Sequence, residues 1–262
     1  MPEGDTVHLA ARRLNATLAE NVLTRTDFRV PAIATTDLGG RVLREVVPRG
    51  KHLLFRIDGG VTLHTHFKME GSWHLYRHGE PWRGPADQVR AVLETEDWAA
   101  VGFRLAICEL IPTERESDVV GHLGPDVLGP DWDAGEVLTR LLARGDDRIG
   151  DVIADQTVMA GPGNIYRCEA CFLRGVHPDT LVRAVPDPAR LVGLMKRLME
   201  ANRDTGMQVT TGDRRPGHTQ WVYGRRAEPC RRCGTPIATR EDRFRNSTRV
   251  TYWCPRCQPI GP

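Results

Sequence analysis

Apolar residues near the start of the chain recur first at helical and then at strand spacing. Between 6 and 20, Val7, Ala10, Ala11, Leu14 and Leu18 fall on one face of a 3.6-residue period, which predicts an amphipathic helix. The period then shortens. The runs 22–30, 41–47, 52–57, 61–66, 73–76, 89–93 and 99–111 are β-rich and are separated by Gly, Pro and Asp. Short strands punctuated by turn residues predict a sandwich or barrel. The segment 124–133, GPDVLGPDWD, follows neither period and reads as a linker. Helical spacing returns over 134–142, 149–159, 164–172 and 188–202; in the last of these Leu191, Leu194, Met195 and Leu198 share a face. From 220 the pattern is β-like again. The pattern thus predicts an α+β, multidomain chain: a β-sandwich opened by a helix over 1–124, a helical domain over 125–219, and a small unit over 220–262.

At 262 residues the chain is long enough to bury a sizeable core. It has no run of about 18 apolar residues, which excludes a membrane-spanning helix. The N-terminus lacks the basic, apolar and small-residue layout of a secretory signal, so a cytoplasmic protein is expected. The net charge of +2 hides an asymmetry. From Arg203 onward there are 12 Arg against 5 Asp and Glu, so this quarter carries +7 and the first 202 residues carry −5. A basic C-terminal quarter points to a polyanionic partner, or simply to a solvated basic surface. Lysine occurs only at 51, 68 and 196, which singles out each one for inspection.

The cysteines sharpen the picture. Cys230-Arg-Arg-Cys233 and Cys254-Pro-Arg-Cys257 form two CxxC pairs, the arrangement of a tetrahedral zinc site with four thiolates. Each CxxC turn points both sulfurs the same way, and Gly234 suits a tight knuckle. Residues 237–252 are long enough for a β-hairpin between the pairs. Four thiolates leave no open position, so one structural Zn2+ is expected rather than a catalytic one. Cys108, Cys168 and Cys171 read as small buried side chains.

Pro2 follows Met1 directly. Removal of Met1 would expose a secondary amine, and a free α-amino group has a pKa of about 7.7–8.0 against about 10.4 for Lys. Such an amine is a ready nucleophile at neutral pH, and on an aldehyde-type carbon it forms a cationic iminium that serves as an electron sink. Glu3 is placed to act as general acid and base. Lys51 lies in Pro48-Arg49-Gly50-Lys51-His52, a turn entering a strand, where it can meet a phosphate or move a proton. Gly161-Pro162-Gly163-Asn164 separates two helical patterns. It can let a backbone approach an anion closely at a helix N-terminus, or it can be a plain connection.

Together these pieces resemble the formamidopyrimidine-DNA glycosylase and endonuclease VIII family, in order and over essentially the whole chain. Residues 1–6 (MPEGDT) resemble its N-terminal signature, 49–53 its β-turn lysine motif, and 155–166 its helix–two-turn–helix element. Val222-Tyr223-Gly224-Arg225 and the four cysteines, ending in Cys257-Gln258, resemble its zinc finger. The resemblance implies that Pro2 attacks the sugar C1′ and displaces a damaged base, that Glu3 handles protons, and that Lys51 contacts the phosphate at the lesion. It implies that Asn164 and Arg249 clamp backbone phosphates, with Arg249 at the tip of the finger hairpin. Met69, in His66-Phe67-Lys68-Met69-Glu70-Gly71, resembles the wedge that fills the gap left by a flipped nucleotide; the bland reading is a buried strand methionine. The implied partner is damaged DNA, handled by a monomer that nicks the strand by β,δ-elimination.

Two departures matter. The family has Glu where this chain has Thr6, with only Asp5 nearby, and its Arg and Phe void-fillers are not recognisable over 101–110. Both place the chain nearer the endonuclease VIII branch, with oxidised pyrimidines as expected substrates. Thr6 also admits a catalytically weakened relative. The competing reading from another class is a non-catalytic, zinc-containing nucleic-acid-binding protein, which would have no need for Pro2, Glu3 and Lys51 together.

Overall fold

The first helical period becomes α1 (Gly4–Leu18), with Val7, Ala11, Leu14 and Leu18 buried on one face. The structure, a computed structural model, describes residues 2–244 and 247–260. Its contacts divide the chain into two units, Met1–His122 and Leu123–Pro262. The helical segment and the finger both fall in the second.

In the first unit α1 is followed by β1 (Asn21–Val22), β2 (Arg25–Phe28), β3 (Val42–Arg49), β4 (His52–Ile57), β5 (Val61–His66), β6 (Ser72–Arg77), β7 (Val89–Glu94), β8 (Trp98–Phe103) and β9 (Ile107–Pro112). They pair antiparallel in two sheets, β1-β3-β4-β5-β9 and β2-β7-β8-β6. One apolar cluster joins α1 to both sheets through Leu14, Leu18, Phe28, Leu43, Leu53, Phe55, Leu63, Leu93 and Ala100. Each fully buried Leu or Phe contributes about 1.5–3 kcal/mol. This is the sandwich that the alternating runs predict.

Two runs break where apolar periodicity is silent. Run 22–30 divides into β1 and β2, which join different sheets. Run 99–111 divides at Arg104, whose φ of 49° is left-handed, while the buried Leu105 keeps the apolar pattern unbroken. A short helix, α2 (Glu116–Val120), follows β9 without a clear periodic signal.

The second unit holds α3 (Ala134–Leu142), α4 (Ile149–Val152), α5 (Asn164–Arg174) and α6 (Pro188–Asn202). Asp133 caps α3 by accepting from the Gly135 and Glu136 N–H groups, and Asp187 caps α6 through Arg190 N–H. Helical spacing over 149–159 yields only α4, because Asp155 Oδ1 accepts from Thr157 N–H at 3.0 Å and from its hydroxyl at 2.8 Å, holding a turn instead. Segment 124–133 is no free tether: Val127 is buried, and Gly124 and Val127 N–H groups bond to Gln156 and Ala160 carbonyls. The hairpin of β10 (Ala238–Phe244) and β11 (Ser247–Trp253) belongs to the finger. Finger residues Cys230, Ile237 and Cys254 share an apolar cluster with Cys168 and Phe172 of α5. Cys108, Cys168 and Cys171 are buried small side chains.

On the face of the first sheet away from its core, three imidazoles lie side by side, His52 pairing across strands with His66 and Leu54 with His64. His52 Nδ1 is 2.8 Å from His64 Nε2, and His64 Nδ1 is 2.8 Å from a Glu109 carboxylate oxygen. The carboxylate can only accept, so His64 Nδ1–H donates to it. Burial is the main cause that pushes His52 down to about 3 and His66 down to about 4. Neighbouring charge adds to this, from the other imidazoles and Lys51 at His52, and from Lys51 and Lys68 at His66. A histidine with a depressed folded pKa binds fewer protons folded than unfolded. Its contribution to stability is therefore intact above about pH 6.5 and falls as the pH drops toward those values. We predict that urea unfolding of the whole chain shows stability declining from about pH 7.5 to 5, by up to about 1.4 kcal/mol per pH unit for each histidine. His52→Asn should flatten that slope; an identical slope in the variant would contradict the assignment.

Candidate active site and metal centre

The position of Pro2 and Glu3 follows from how α1 packs. Glu20 N–H donates to Leu43 O at 2.7 Å, and the Asn15 side-chain oxygen accepts from Val46 N–H at 2.7 Å, so α1 runs antiparallel along β3. From Asn15 back to Glu3 is about 18 Å of helix, and from Val46 on to Lys51 is about 16 Å of strand, in the same direction. Pro2, Glu3 and Lys51 therefore come to one end of the sandwich. Glu3 is wholly buried ahead of the helix, and Pro2 is partly exposed. Thr6 donates to the buried Asp5 carboxylate at 3.5 Å, at the limit of a hydrogen bond.

Lys51 sits in a two-residue turn between β3 and β4, with Arg49 and His52 paired across it. Gly50 makes that turn with φ 58°, where a side chain would be strained. The Lys51 charge bears on both His52 and His66, so the lysine lies beside the end of β5. From there the chain enters the turn that carries Met69. His66 Nδ1 accepts from Lys68 N–H at 2.8 Å, Lys68 is left-handed at φ 50°, and Gly71 N–H closes on Phe67 O at 2.9 Å. A Cβ on Gly71 would lie 2.7 Å from the Phe67 backbone, so only glycine fits. Met69 itself is 64 % exposed and is not a buried strand methionine.

In the second unit, Asn164 opens α5 and is buried. The Gln156 side chain braces the loop before it, donating to Pro162 O at 2.8 Å and accepting from Gly161 N–H at 3.0 Å. Asn164 Nδ2 donates to Val250 O at 2.8 Å, which ties the start of α5 to the residue after Arg249. Arg249 lies within β11 opposite Asp242. Residues 245 and 246, between β10 and β11 in sequence, lie outside the described residues.

The four finger cysteines have their sulfurs within 4.8 Å of one another, the one such convergence of potential ligands among the described residues. Separations of 3.5 Å for Cys233–Cys254 and 3.9 Å for Cys230–Cys257 match the roughly 3.8 Å between thiolates around a tetrahedral ion with metal–sulfur bonds of about 2.3 Å. In each knuckle a backbone N–H donates to the leading thiolate at 3.4 Å, Arg232 N–H to Cys230 Sγ and Cys257 N–H to Cys254 Sγ, with Gly234 at φ 77° in the first. The donor set fits one structural Zn2+. Gln258 anchors the second knuckle, accepting from Cys254 N–H at 2.9 Å and donating to Val176 O at 2.8 Å.

Pattern reading missed two charged residues of α5. Glu169 is fully buried and accepts from the Trp221, Val222 and Tyr223 N–H groups, each at 2.8 Å, and from the Thr210 hydroxyl. Arg167 is 1 % exposed. The signal for them is that apolar positions flank α5 on nearly every side, which leaves its charges nowhere to reach water.

Comparison with known proteins agrees with this geometry. Residues 1–105 match the model described as Formamidopyrimidine-DNA glycosylase N-terminal domain, and residues 227–260 match Zinc finger found in FPG and IleRS. The chain is 50% identical to the "Probable endonuclease 8 2" of Streptomyces coelicolor, over 100% of this chain and 95% of that protein. It is 46% identical to the "DNA-(apurinic or apyrimidinic site) lyase Nei2" of Mycolicibacterium smegmatis, over 98% and 99% respectively. Its fold is that of the Lactococcus lactis formamidopyrimidine-DNA glycosylase solved with DNA containing an abasic site, at a TM-score of 0.81 and 23% identity over 98% of this chain and 100% of that one. With the N-terminal signature, the lysine turn, the finger and full-length similarity all in register, the chain belongs to the formamidopyrimidine-DNA glycosylase and endonuclease VIII family, and both of these relatives carry names from its endonuclease VIII side.

Proposed function

We propose that this protein is a bifunctional DNA glycosylase and abasic-site lyase of base excision repair, acting as a cytoplasmic monomer on oxidised bases in DNA. The observation that carries the reading is the arrival of Pro2, Glu3 and Lys51 at one end of the sandwich, next to an exposed Met69. In this reading 1–124 is the catalytic domain, 125–219 the DNA-binding helical domain and 220–262 the zinc finger. Among the described residues no helix is long and apolar enough to cross a membrane.

The reaction follows from the chemistry of a secondary amine. The Pro2 nitrogen bonds to C1′ as the bond from C1′ to the base breaks, and the opened sugar holds a cationic iminium. That cation accepts the electron pair when a C2′ proton leaves, which expels the 3′ phosphate; a second elimination expels the 5′ phosphate. Glu3, buried beside the amine, takes and returns protons during base loss and ring opening. Lys51 neutralises the phosphate at the lesion. Asn164 and Arg249 hold backbone phosphates, and Met69 occupies the gap left when the nucleotide is flipped out. Zinc is structural: it supplies the tie that holds the two knuckles together, and Cys230, Cys233, Cys254 and Cys257 are its ligands.

Pro2→Gly should abolish most base excision while DNA binding survives, and an uncleaved N-terminal tag should do the same. A nicking assay on lesion-bearing duplex checks both, and full activity of the tagged protein would overturn the nucleophile assignment. Metal analysis should find one zinc per chain, and Cys254→Ser should lose it together with DNA affinity, because a four-thiolate site contributes folding free energy directly; zinc-free protein that binds DNA normally would contradict this. A ring-saturated pyrimidine stacks poorly and is cheaper to flip than an intact base, which costs a few kcal/mol. Thymine glycol and dihydrouracil should therefore be cut faster than 8-oxoguanine in one duplex context, and the reverse order would overturn the substrate class.

A further inference from the structure

The second unit contains a continuous polar chain that the proposed chemistry does not use. Arg167 stands one helical turn after Asn164 on α5, and its guanidinium donates to the Thr251 hydroxyl of β11. Its other terminal nitrogen is 3.8 Å from Asp151. The Thr251 hydroxyl in turn donates to Asp242 at 2.6 Å. Asp242 also accepts from Arg240 Nε at 2.6 Å, and Arg240 grips Asp179 with both terminal nitrogens at 2.6 and 2.7 Å. The chain thus links α4, α5, the finger hairpin and the loop that follows α5.

Its register connects it to Arg249. Asp242 is the cross-strand partner of Arg249, and Arg240 that of Thr251. Residues two apart on a strand share a face, so Arg240, Asp242, Arg249 and Thr251 all lie on one face of the hairpin. Between Arg249 and Thr251, the Val250 carbonyl is held by Asn164. Helix α5 therefore grips β11 at two consecutive residues from two positions one turn apart. Burying a guanidinium is costly, and buried ionic groups are poor stabilisers compared with apolar ones. Arg167 Nε also lacks a hydrogen-bond partner among the described residues, so the arrangement is not one optimised for stability. What it provides is orientation.

We infer that Arg167 and Thr251 are positioning residues for DNA binding, locking β11 onto α5 so that Asn164 and Arg249 form one preorganised phosphate site. Preorganisation removes the cost of ordering a long side chain on binding. The inference rests on the reading of Arg249 as a phosphate contact, and the test separates the two. Binding of the zinc-loaded full chain to duplex with an uncleavable abasic analogue is measured by fluorescence anisotropy across a salt series. The proteins compared are wild type, Thr251→Val, Arg249→Ala and the double variant, with zinc content and melting temperature followed in parallel. Arg249→Ala should lower the salt slope by about one. Thr251→Val should keep its zinc, bind roughly tenfold more weakly with a slope moved toward that of Arg249→Ala, and cost nothing further in the double variant. If Arg249→Ala lowers the slope but Thr251→Val binds like wild type, or if the two losses simply add, the positioning role is wrong and the phosphate reading stands. If Arg249→Ala leaves the slope unchanged, the phosphate reading fails and the positioning role falls with it. Should Thr251→Val not fold, Arg167→Lys, which keeps the charge but loses the planar fork, is read by the same criteria.

Discussion

The amine proposed as nucleophile stands at the very start of the first helix, so the proposed chemistry depends on how firmly that first turn is held. Here that constraint is met by α1 lying along β3. Its apolar face enters the sandwich core, and its polar side is pinned by the Asn15 contact with Val46. The packing fixes the direction of the helix, and the direction delivers Pro2 and Glu3 to the end where the β3–β4 turn presents Lys51. The same sheet supplies the Met69 turn through the pairing of His52 with His66. Pro2, Glu3, Lys51 and Met69, the residues proposed as nucleophile, proton carrier, phosphate contact and wedge, are thus set out by one helix and three strands.

The second unit solves a related problem differently. The groups proposed to hold DNA, Asn164 and Arg249, sit on a helix start and on a hairpin whose small finger has little core of its own. Helix α5 serves as the common post. Glu169 gathers three backbone N–H groups of the segment entering the finger, Asn164 and Arg167 hold β11, and Val176 just beyond its end receives Gln258. The metal closes the knuckles, while α5 sets where the hairpin lies.

Much of this was legible in the sequence, and the rest was not, for physical reasons. The cysteine spacing was sufficient for the zinc centre because metal geometry tolerates few alternatives. The helix 6–20 and most strands followed from burial on one face. The break at Arg104 was invisible because it uses neither Gly nor Pro and is followed by a buried Leu105. The loss of helix after Val152 was equally hidden, since Asp155 makes a local side-chain turn within a helix-like apolar spacing. Arg167 and Glu169 look like ordinary helix-surface charges until the helix is seen to be enclosed. For Pro2, the chemistry of a secondary amine was readable from residue type alone, but its significance came only with the other motifs in register.

The central claim is that the amine of residue 2 bonds covalently to the sugar. Borohydride reduction during reaction with abasic-site DNA, followed by mass mapping of the adduct, tests it most directly. The account predicts a stable cross-link on the peptide that begins at Pro2, lost in Pro2→Gly. A strand nicked without any trapped adduct, or an adduct mapped to Lys51, would contradict it.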